Sequence, residues 1–232
     1  KMEPIPLEKN LNWWWYKAKN QLLVHILNNL KNKKDLRILE IGPGLGNNIS
    51  LLTSIGNVDI LEEEEEFIKY INSTYKKSVK NIYKNLNEIN TCYDLIVMLD
   101  VLEHIEDSYD FMNEVGGILN VDGTIILGVP AYQSLWSSHD EKLKHCRRYN
   151  WNTIYSDCRS YKVIKKYGLN YLLLPIRYIQ IKINKITTTN ESSKIVNNLI
   201  YLIVLLEALL RKIGFNPKFG ISLYAVLKKK EN

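Results

Sequence analysis

The sequence predicts an α/β fold on a doubly wound, mostly parallel sheet, and three observations predict it. A short apolar strand at 36–41, Leu36-Arg37-Ile38-Leu39-Glu40-Ile41, runs directly into a turn with glycines at 42, 44 and 46. Apolar strand-like runs then alternate with helical segments from 36 to 129, the pattern of parallel strands joined by right-handed crossovers. With 232 residues, 46% hydrophobic and 24% charged, the chain has enough apolar surface to bury a full α/β core.

In the first strand, Ile38, Leu39 and Ile41 suit a strand covered on both faces. The glycines that follow let backbone amides approach a ligand that any Cβ would block, and the segment 47–55 reads as a helix whose N-terminus points at that ligand. A dinucleotide fingerprint, G-x-G-x-x-G, would require glycine at 47; Asn47 stands there and the third glycine arrives one residue early, at Gly46. Glu40, at the strand end beside the loop, repels a phosphate but can hold an ammonium group. This E-x-G-x-G-x-G loop resembles motif I of the class I S-adenosylmethionine-dependent methyltransferases, where the loop packs against the methionine part of the cofactor. The resemblance implies S-adenosylmethionine as cofactor, with S-adenosylhomocysteine as product, and Glu40, Gly42, Pro43, Gly44 and Gly46 among its contacts. It also implies a Rossmann-like, seven-stranded, mostly parallel sheet with an antiparallel last strand, an N-terminal helix and a helical insertion before the last strand.

A second strand is expected at 58–62, and Glu62 falls 20 residues after Gly42, where a doubly wound fold places an acid able to accept ribose hydroxyls. Glu63 to Glu66 suit the first turn of a helix through 67–71, where acids meet the helix dipole favourably; a one-residue slip would make Glu63 the ribose ligand. A weaker third strand is expected near 81–85. Methyltransferases commonly place an acid after it for the adenine amino group; here Asn85-Leu86-Asn87 stands instead, leaving adenine to Asn85, Leu86 and backbone amides.

The run 93–100 is a strongly apolar strand that closes on Val101-Leu102-Glu103-His104-Ile105-Glu106-Asp107. This segment resembles the fourth-strand region of small-molecule methyltransferases, including the ubiquinone O-methyltransferase type. The likeness places Asp100, with Val101, near the methionine moiety, gives Asp94 a structural task, and turns Glu103 and His104 toward the acceptor. Asp100 also suits an N-cap. His104 is a candidate general base, because imidazole titrates near neutral pH. If 101–106 is helical, Asp100, Glu103 and His104 share one face, which also suits a divalent cation, and the plainest alternative is that His104 merely fixes the loop. No metal is assigned.

A crossover helix at 108–119 and an Asp122-Gly123 turn lead into a fifth strand at 124–129. The loop 130–140 follows, where ligands of open α/β sheets bind, and Tyr132, Trp136 and His139 lie in it. His145-Cys146-Arg147-Arg148-Tyr149 comes next. The whole segment resembles a methyltransferase subgroup associated with polysaccharide or lipid-linked sugar pathways. His139 and His145 are thereby candidate catalytic residues. Arg147 and Arg148 suit an acceptor phosphate or carboxylate, unless they form an ordinary salt-bridged loop with Asp140 and Glu141.

The tryptophans at 13–15 precede a helix with apolar positions at Leu22, Leu23, Ile26, Leu27 and Leu30. Residues 1–34 are therefore read as a helical lid or cover, with Trp14 a candidate acceptor contact. A sixth strand is expected at 161–167 and a last one at 221–227, with a Leu- and Ile-rich helical insertion over 168–219 between them. The longest apolar run there, 199–206, is far short of the ~20 residues that span a bilayer. A cover for the sheet or a dimer contact is the simpler reading of the insertion; a surface touching membrane or a prenyl chain is the sharper one, helped by a net charge of +6. The stretch 187–193 reads as a mobile loop.

Cys92, Cys146 and Cys158 show neither metal-binding spacing nor a secretory framework, and no signal-peptide pattern stands at the N-terminus. A cytoplasmic protein is expected, with peripheral membrane contact open. Lysine is scattered rather than striped, and Leu99-Asp100-Val101-Leu102 is not the motif of base amino methyltransferases, so DNA is not expected as partner. The expected activity is methyl transfer within one domain, 1–232, to a small-molecule, sugar or lipid-linked acceptor, through oxygen rather than nitrogen, by a monomer or homodimer. The rivals are an RNA or protein methyltransferase and a non-catalytic cofactor-binding partner in a biosynthetic complex.

Overall fold

The structure, a computed structural model, describes residues 14–30, 35–184 and 194–230. Trp13, the remainder of 1–34 and the expected loop at 187–193 lie outside the described residues. Seven strands form one sheet in the order β3-β2-β1-β4-β5-β7-β6. They are β1 (Leu36–Ile41), β2 (Gly56–Leu61), β3 (Val79–Tyr83), β4 (Tyr93–Leu99), β5 (Leu119–Pro130), β6 (Tyr161–Leu169) and β7 (Ser222–Lys229). The first five run parallel to one another. β7 runs against β5 and β6: Ile221 N–H donates to Leu169 O while Lys230 N–H donates to Ser160 O, and Ala131 N–H donates to Ile221 O while Lys229 Nζ reaches Leu119 O. The expected Rossmann-like fold with an antiparallel last strand is present.

Two compact units divide the chain. The sheet unit comprises, among described residues, 30, 35–129, 151–166 and 224–230; the helical unit comprises 14–29, 130–150, 167–184 and 194–223. In the sheet unit the central strands are apolar on both faces, with Ile38, Leu39, Ile41, Leu95 to Met98 and Ile125 to Leu127 buried. Helices α2 (Ile49–Thr53), α3 (Glu65–Tyr75), α4 (Ser108–Gly117) and α6 (Trp151–Asp157) cross between strands. Asp94 has the structural task expected of it: its carboxylate accepts from Arg37 N–H at 3.0 Å and Asn120 Nδ2 at 2.8 Å, tying β4 to residues of β1 and β5. Buried Asp59 does the same, accepting from Tyr93 Oη and Asn81 Nδ2, each at 2.9 Å.

In the helical unit α1 (Trp14–Asn28) buries Ala18, Leu22, Leu23 and Ile26 and packs on α8 (Lys194–Lys212), whose Val204, Glu207 and Arg211 are buried. Lys17 Nζ sits 4.4 Å over the Tyr201 ring. The α8 carboxylate Glu207 accepts from Asn170 N–H at 2.9 Å and Leu172 N–H at 2.8 Å, anchoring the chain where β6 passes into α7 (Leu174–Asn184). A capping box of Ser137 and Asp140 starts the short α5 (Ser138–Lys142).

Several sequence expectations are corrected. The helix expected over 47–55 is the five-residue α2, because Gly46 N–H turns back to Pro43 O and Ile49 N–H to Gly46 O, so the loop winds on to Ile49. The third strand lies at 79–83, two residues earlier than expected, and Asn85 precedes a 3-10 turn, Leu86–Glu88. No helix forms over 101–106: a 3-10 turn, Leu102–His104, stands there, its N-cap is Val101 rather than Asp100, and Asp100 is left-handed at φ 58°. The shared helical face of Asp100, Glu103 and His104 therefore does not exist. The Asp122-Gly123 turn is absorbed into β5 as an irregularity: Tyr93 pairs with Leu119 but Leu95 with Thr124, so extra residues bulge from the β5 side.

Candidate active site

Three left-handed glycines shape the loop after β1, with φ 65° at Gly42, 54° at Gly44 and 75° at Gly46. Each earns its place differently. A Cβ on Gly42 would lie 2.6 Å from Val101 Cγ2, so glycine lets this loop close on the chain leaving β4. A Cβ on Gly44 would meet nothing within 4 Å; it projects into open space. Pro43 is buried between them.

Two carboxylates underlie the loop. Glu62, just past β2, is buried; it accepts from Gly44 N–H at 3.0 Å through Oε2 and from Glu64 N–H at 3.1 Å through Oε1. Burial raises its pKa against these bonds. Glu63 beside it is exposed. Glu40, at the end of β1, is 2% exposed and accepts one hydrogen bond, from Asn48 Nδ2 to Oε1 at 2.8 Å. Its Oε2 is buried with no partner. Burial, helped by the charge of Glu62 and opposed by the Asn48 bond, pushes the Glu40 carboxyl up to about 7. A buried carboxylate with an idle oxygen is costly unless something completes it.

The ends of β3 and β4 supply the remaining cofactor candidates of this unit. Asn85 is exposed and donates to Glu88 Oε1 at 3.2 Å; Leu86 is half-buried in the following turn. Asp100 and Val101 are half-buried, Glu103 is fully buried and His104 is half-buried at the end of its 3-10 turn. His104 N–H donates to Val101 O at 3.0 Å, which fixes its backbone.

The other expected residues lie in the helical unit. Trp14 and Trp15 open α1 as an edge-to-face pair with ring centroids 5.5 Å apart. Tyr132 is left-handed at φ 56° ahead of the 3-10 turn Gln133–Leu135, and Trp136 is half-buried after it. Asp140 is completely buried and accepts from His145 Nδ1 at 2.9 Å, Arg148 Nε at 2.7 Å and Ser137 N–H at 2.9 Å. Burial alone would raise it, but these bonds and the Arg148 charge hold its carboxyl well below the usual range. Arg148 also donates to Ala131 O at 3.1 Å. Arg148 and Asp140 thus form the salt-bridged loop that the sequence offered as the alternative to acceptor binding. Arg147 beside it is half-buried. Solvent reaches His139, whose pKa is nonetheless lowered by partial burial and by His145, Arg148 and Arg177, against the pull of Asp140.

A family model for a methyltransferase domain matches residues 13–173. The chain belongs to that family. No curated protein matches its sequence. Solved structures share its fold. An S-adenosylmethionine-dependent methyltransferase from Archaeoglobus fulgidus has 17% identity and a TM-score of 0.59, over 92% of this chain and 94% of that one. A putative methyltransferase complexed with the Trm112 activator of Haloferax volcanii gives 15%, 0.61, 94% and 95%. Phosphoethanolamine N-methyltransferase 2 of Haemonchus contortus, in complex with S-adenosyl-L-methionine, gives 14%, 0.60, 95% and 56%.

The methyltransferase uses S-adenosylmethionine, and its loop has the chemistry to fit it. Glu40 Oε2 lacks a partner that a cation would provide, Glu62 has lone pairs left for hydroxyl donors, and the space at Gly44 is open. One contributor was missed from sequence: Asn48, which holds Glu40. Its only signal is a polar residue two places past the last loop glycine.

Proposed function

We propose that this methyltransferase moves the methyl group of S-adenosylmethionine to a hydroxyl of a small-molecule, sugar or lipid-linked acceptor. The observation that carries the cofactor half of this reading is the buried, unpartnered Oε2 of Glu40 beneath the glycine loop. In it, Glu40 takes the methionine ammonium, and Gly42, Pro43, Gly44 and Gly46 give the tail room. Glu62, rather than exposed Glu63, accepts ribose hydroxyls. Asn85 and Leu86 flank the adenine, while Asp100 and Val101 border the methionine part. The sulfonium supplies an already activated methyl, so the chain needs no nucleophile of its own.

What the chain must supply is alignment and a place for the acceptor proton. His104, at the carboxyl end of β4 where α/β sheets bind ligands, is our candidate base, with buried Glu103 beside it as a positioning acid. On the acceptor side we propose Trp14, Tyr132, Trp136 and Arg147, with Arg148 and His145 tied to Asp140 to shape that loop. His139, whose depressed pKa keeps it neutral at physiological pH, is a second proton acceptor. We read 1–232 as one domain, with 1–34 and 168–219 as its additions, working in the cytoplasm. N-methyltransferases share the fold, one acting on coclaurine by its name, which makes nitrogen the competing acceptor atom.

The test is transfer of labelled methyl from S-adenosylmethionine into a cell extract, after nuclease and protease treatment. Label surviving both treatments as an alkali-resistant ether supports the reading; label lost to nuclease or protease, or held as the alkali-labile methyl ester of a carboxylate, overturns it. His104→Ala should lower turnover by about 10²-fold or more with cofactor affinity kept, as loss of a general base does.

A further inference from the structure

α8 is apolar on the side that faces α1, and it is apolar on the other side as well. Leu199, Leu202, Leu206, Leu209 and Ile213 are 48–80% exposed, and their 3-4-3-4 spacing puts them in one stripe opposite buried Val204 and Arg211. At 1.5 Å per residue the stripe is about 21 Å long. Past the helix the chain exposes Phe215 and Phe219, both in edge contact with Tyr171, at 5.8 and 6.2 Å. No helix among the described residues is long and apolar enough to cross a membrane.

Charge says what covers this stripe. The sequence stretches of the helical unit, 1–29, 130–150 and 167–223, hold fifteen of the thirty-one Lys and Arg but only six of the twenty-five Asp and Glu, a formal +9 against −3 for the rest. Two of those six acids, Asp140 and Glu207, are buried and hydrogen-bonded. Described residues of α8 expose no acid at all: Asn198 and Lys212 are the polar residues that share its open side. Lys218 stands exposed between Phe215 and Phe219. A second copy of the chain would bring the same positive unit against itself. The positions flanking the stripe, Asn198, Ile203, Leu205, Leu210 and Lys212, offer no opposite charges to lock a helix pair.

We propose that the α8 stripe and Phe215–Phe219 dock in the plane of an anionic bilayer, leucines in the acyl boundary and Lys212 and Lys218 among the headgroups. Apolar area and lysines then act together, as in other interfacial helices. The docking is independent of the methyl-transfer reading, because partition onto vesicles needs no turnover.

The experiment is co-sedimentation of the full chain with vesicles of phosphatidylcholine alone and with 30% phosphatidylglycerol, about 0.1 M salt against 0.5 M. Binding to the anionic vesicles, weaker at high salt, is expected. Leu202→Glu with Leu209→Glu should lower it at least tenfold. Val121→Glu with Ile164→Glu, charge-matched and exposed in the sheet unit, should lower it less than threefold. Thermal melts and cofactor binding are checked on both variants; if the stripe variant misfolds, Lys212→Gln with Lys218→Gln replaces it and should reduce the salt-sensitive part. Equal losses in both glutamate variants would reduce the effect to bulk charge and overturn the proposal. So would a wild-type dimer that the stripe variant dissociates without vesicles. A monomer that ignores anionic vesicles would overturn it too and assign the stripe to the chain's own residues outside those described.

Discussion

The sheet unit and the helical unit differ in one buried acid: the sheet unit completes Asp59 and Glu62 with its own donors but leaves Glu40 short of one. Among the described residues of the helical unit both buried carboxylates are completed by the chain itself: Asp140 by His145, Arg148 and Ser137, Glu207 by two backbone amides. In the sheet unit Glu40 is left with one oxygen idle and its pKa raised to about 7. The outer surfaces invert the contrast. Among the described residues, eleven of the fourteen exposed large hydrophobics belong to the helical unit, and the sheet unit contributes Val121, Tyr155 and Ile164. Unmet polarity inside marks a place for a small ligand; unmet apolarity outside marks a place for a large one.

The comparison breaks most visibly at Asp140. Asp140→Asn leaves buried Arg148 without its counter-charge, and losing one member of a buried pair costs about 3–5 kcal/mol. Urea melts should show that loss with cofactor affinity unchanged when measured under folded conditions. A change in affinity with no loss of stability would move Asp140 from scaffold to site.

Gly44→Val comes next. The side chain would fill the open space at this position, on a backbone at φ 54° that valine adopts only with strain. We expect S-adenosylhomocysteine affinity to fall by about 100-fold, equivalent to about 3 kcal/mol, by titration calorimetry. Unchanged affinity would remove the loop from the cofactor site.

How much of this was legible in sequence follows the same division. The glycine loop could be read because its left-handed backbone demands glycine at fixed spacing. The turn at 102–104 could not: Val101 to Glu106 has helical spacing, but left-handed Asp100 and the hydrogen bond of its N–H to Gly128 O set a course no α-helix can start from. Asn48 was invisible because its partner, Glu40, is eight residues away across a turn whose path the sequence does not fix. In α8, apolar residues surround the helix, so periodicity alone did not tell the face against α1 from the open one.

Glu40→Gln is the sharper cut, because its two effects have opposite signs. Glutamine has no charge to bury, so the cofactor-free protein should gain stability at pH 8, by on the order of 3 kcal/mol for a carboxyl raised from 4.5 to about 7. The cofactor should bind about 10- to 100-fold more weakly, since a charge-assisted bond is lost. A structural glutamate would show lower stability and unchanged affinity.

The smallest effect is set by pH. Glu40 has a raised pKa, so the stability it contributes is whole below 4.5 and is lost as pH rises through 7; Asp140 has a depressed pKa, so its contribution is lost only as pH falls below about 4. The two carboxylates therefore tilt the cofactor-free stability curve in opposite directions, and its maximum should fall on the acid side of neutrality. On the proposed pairing of Glu40 with the methionine ammonium, cofactor binding demands the ionised carboxylate. Affinity should fall by up to about tenfold per pH unit below 7 and level off above it, with the loss absent in Glu40→Gln. That pairing would also cancel the cost of its charge, so saturation should shift the stability maximum toward higher pH. A maximum that stays in place on saturation would mean that the idle oxygen is not where the cation sits.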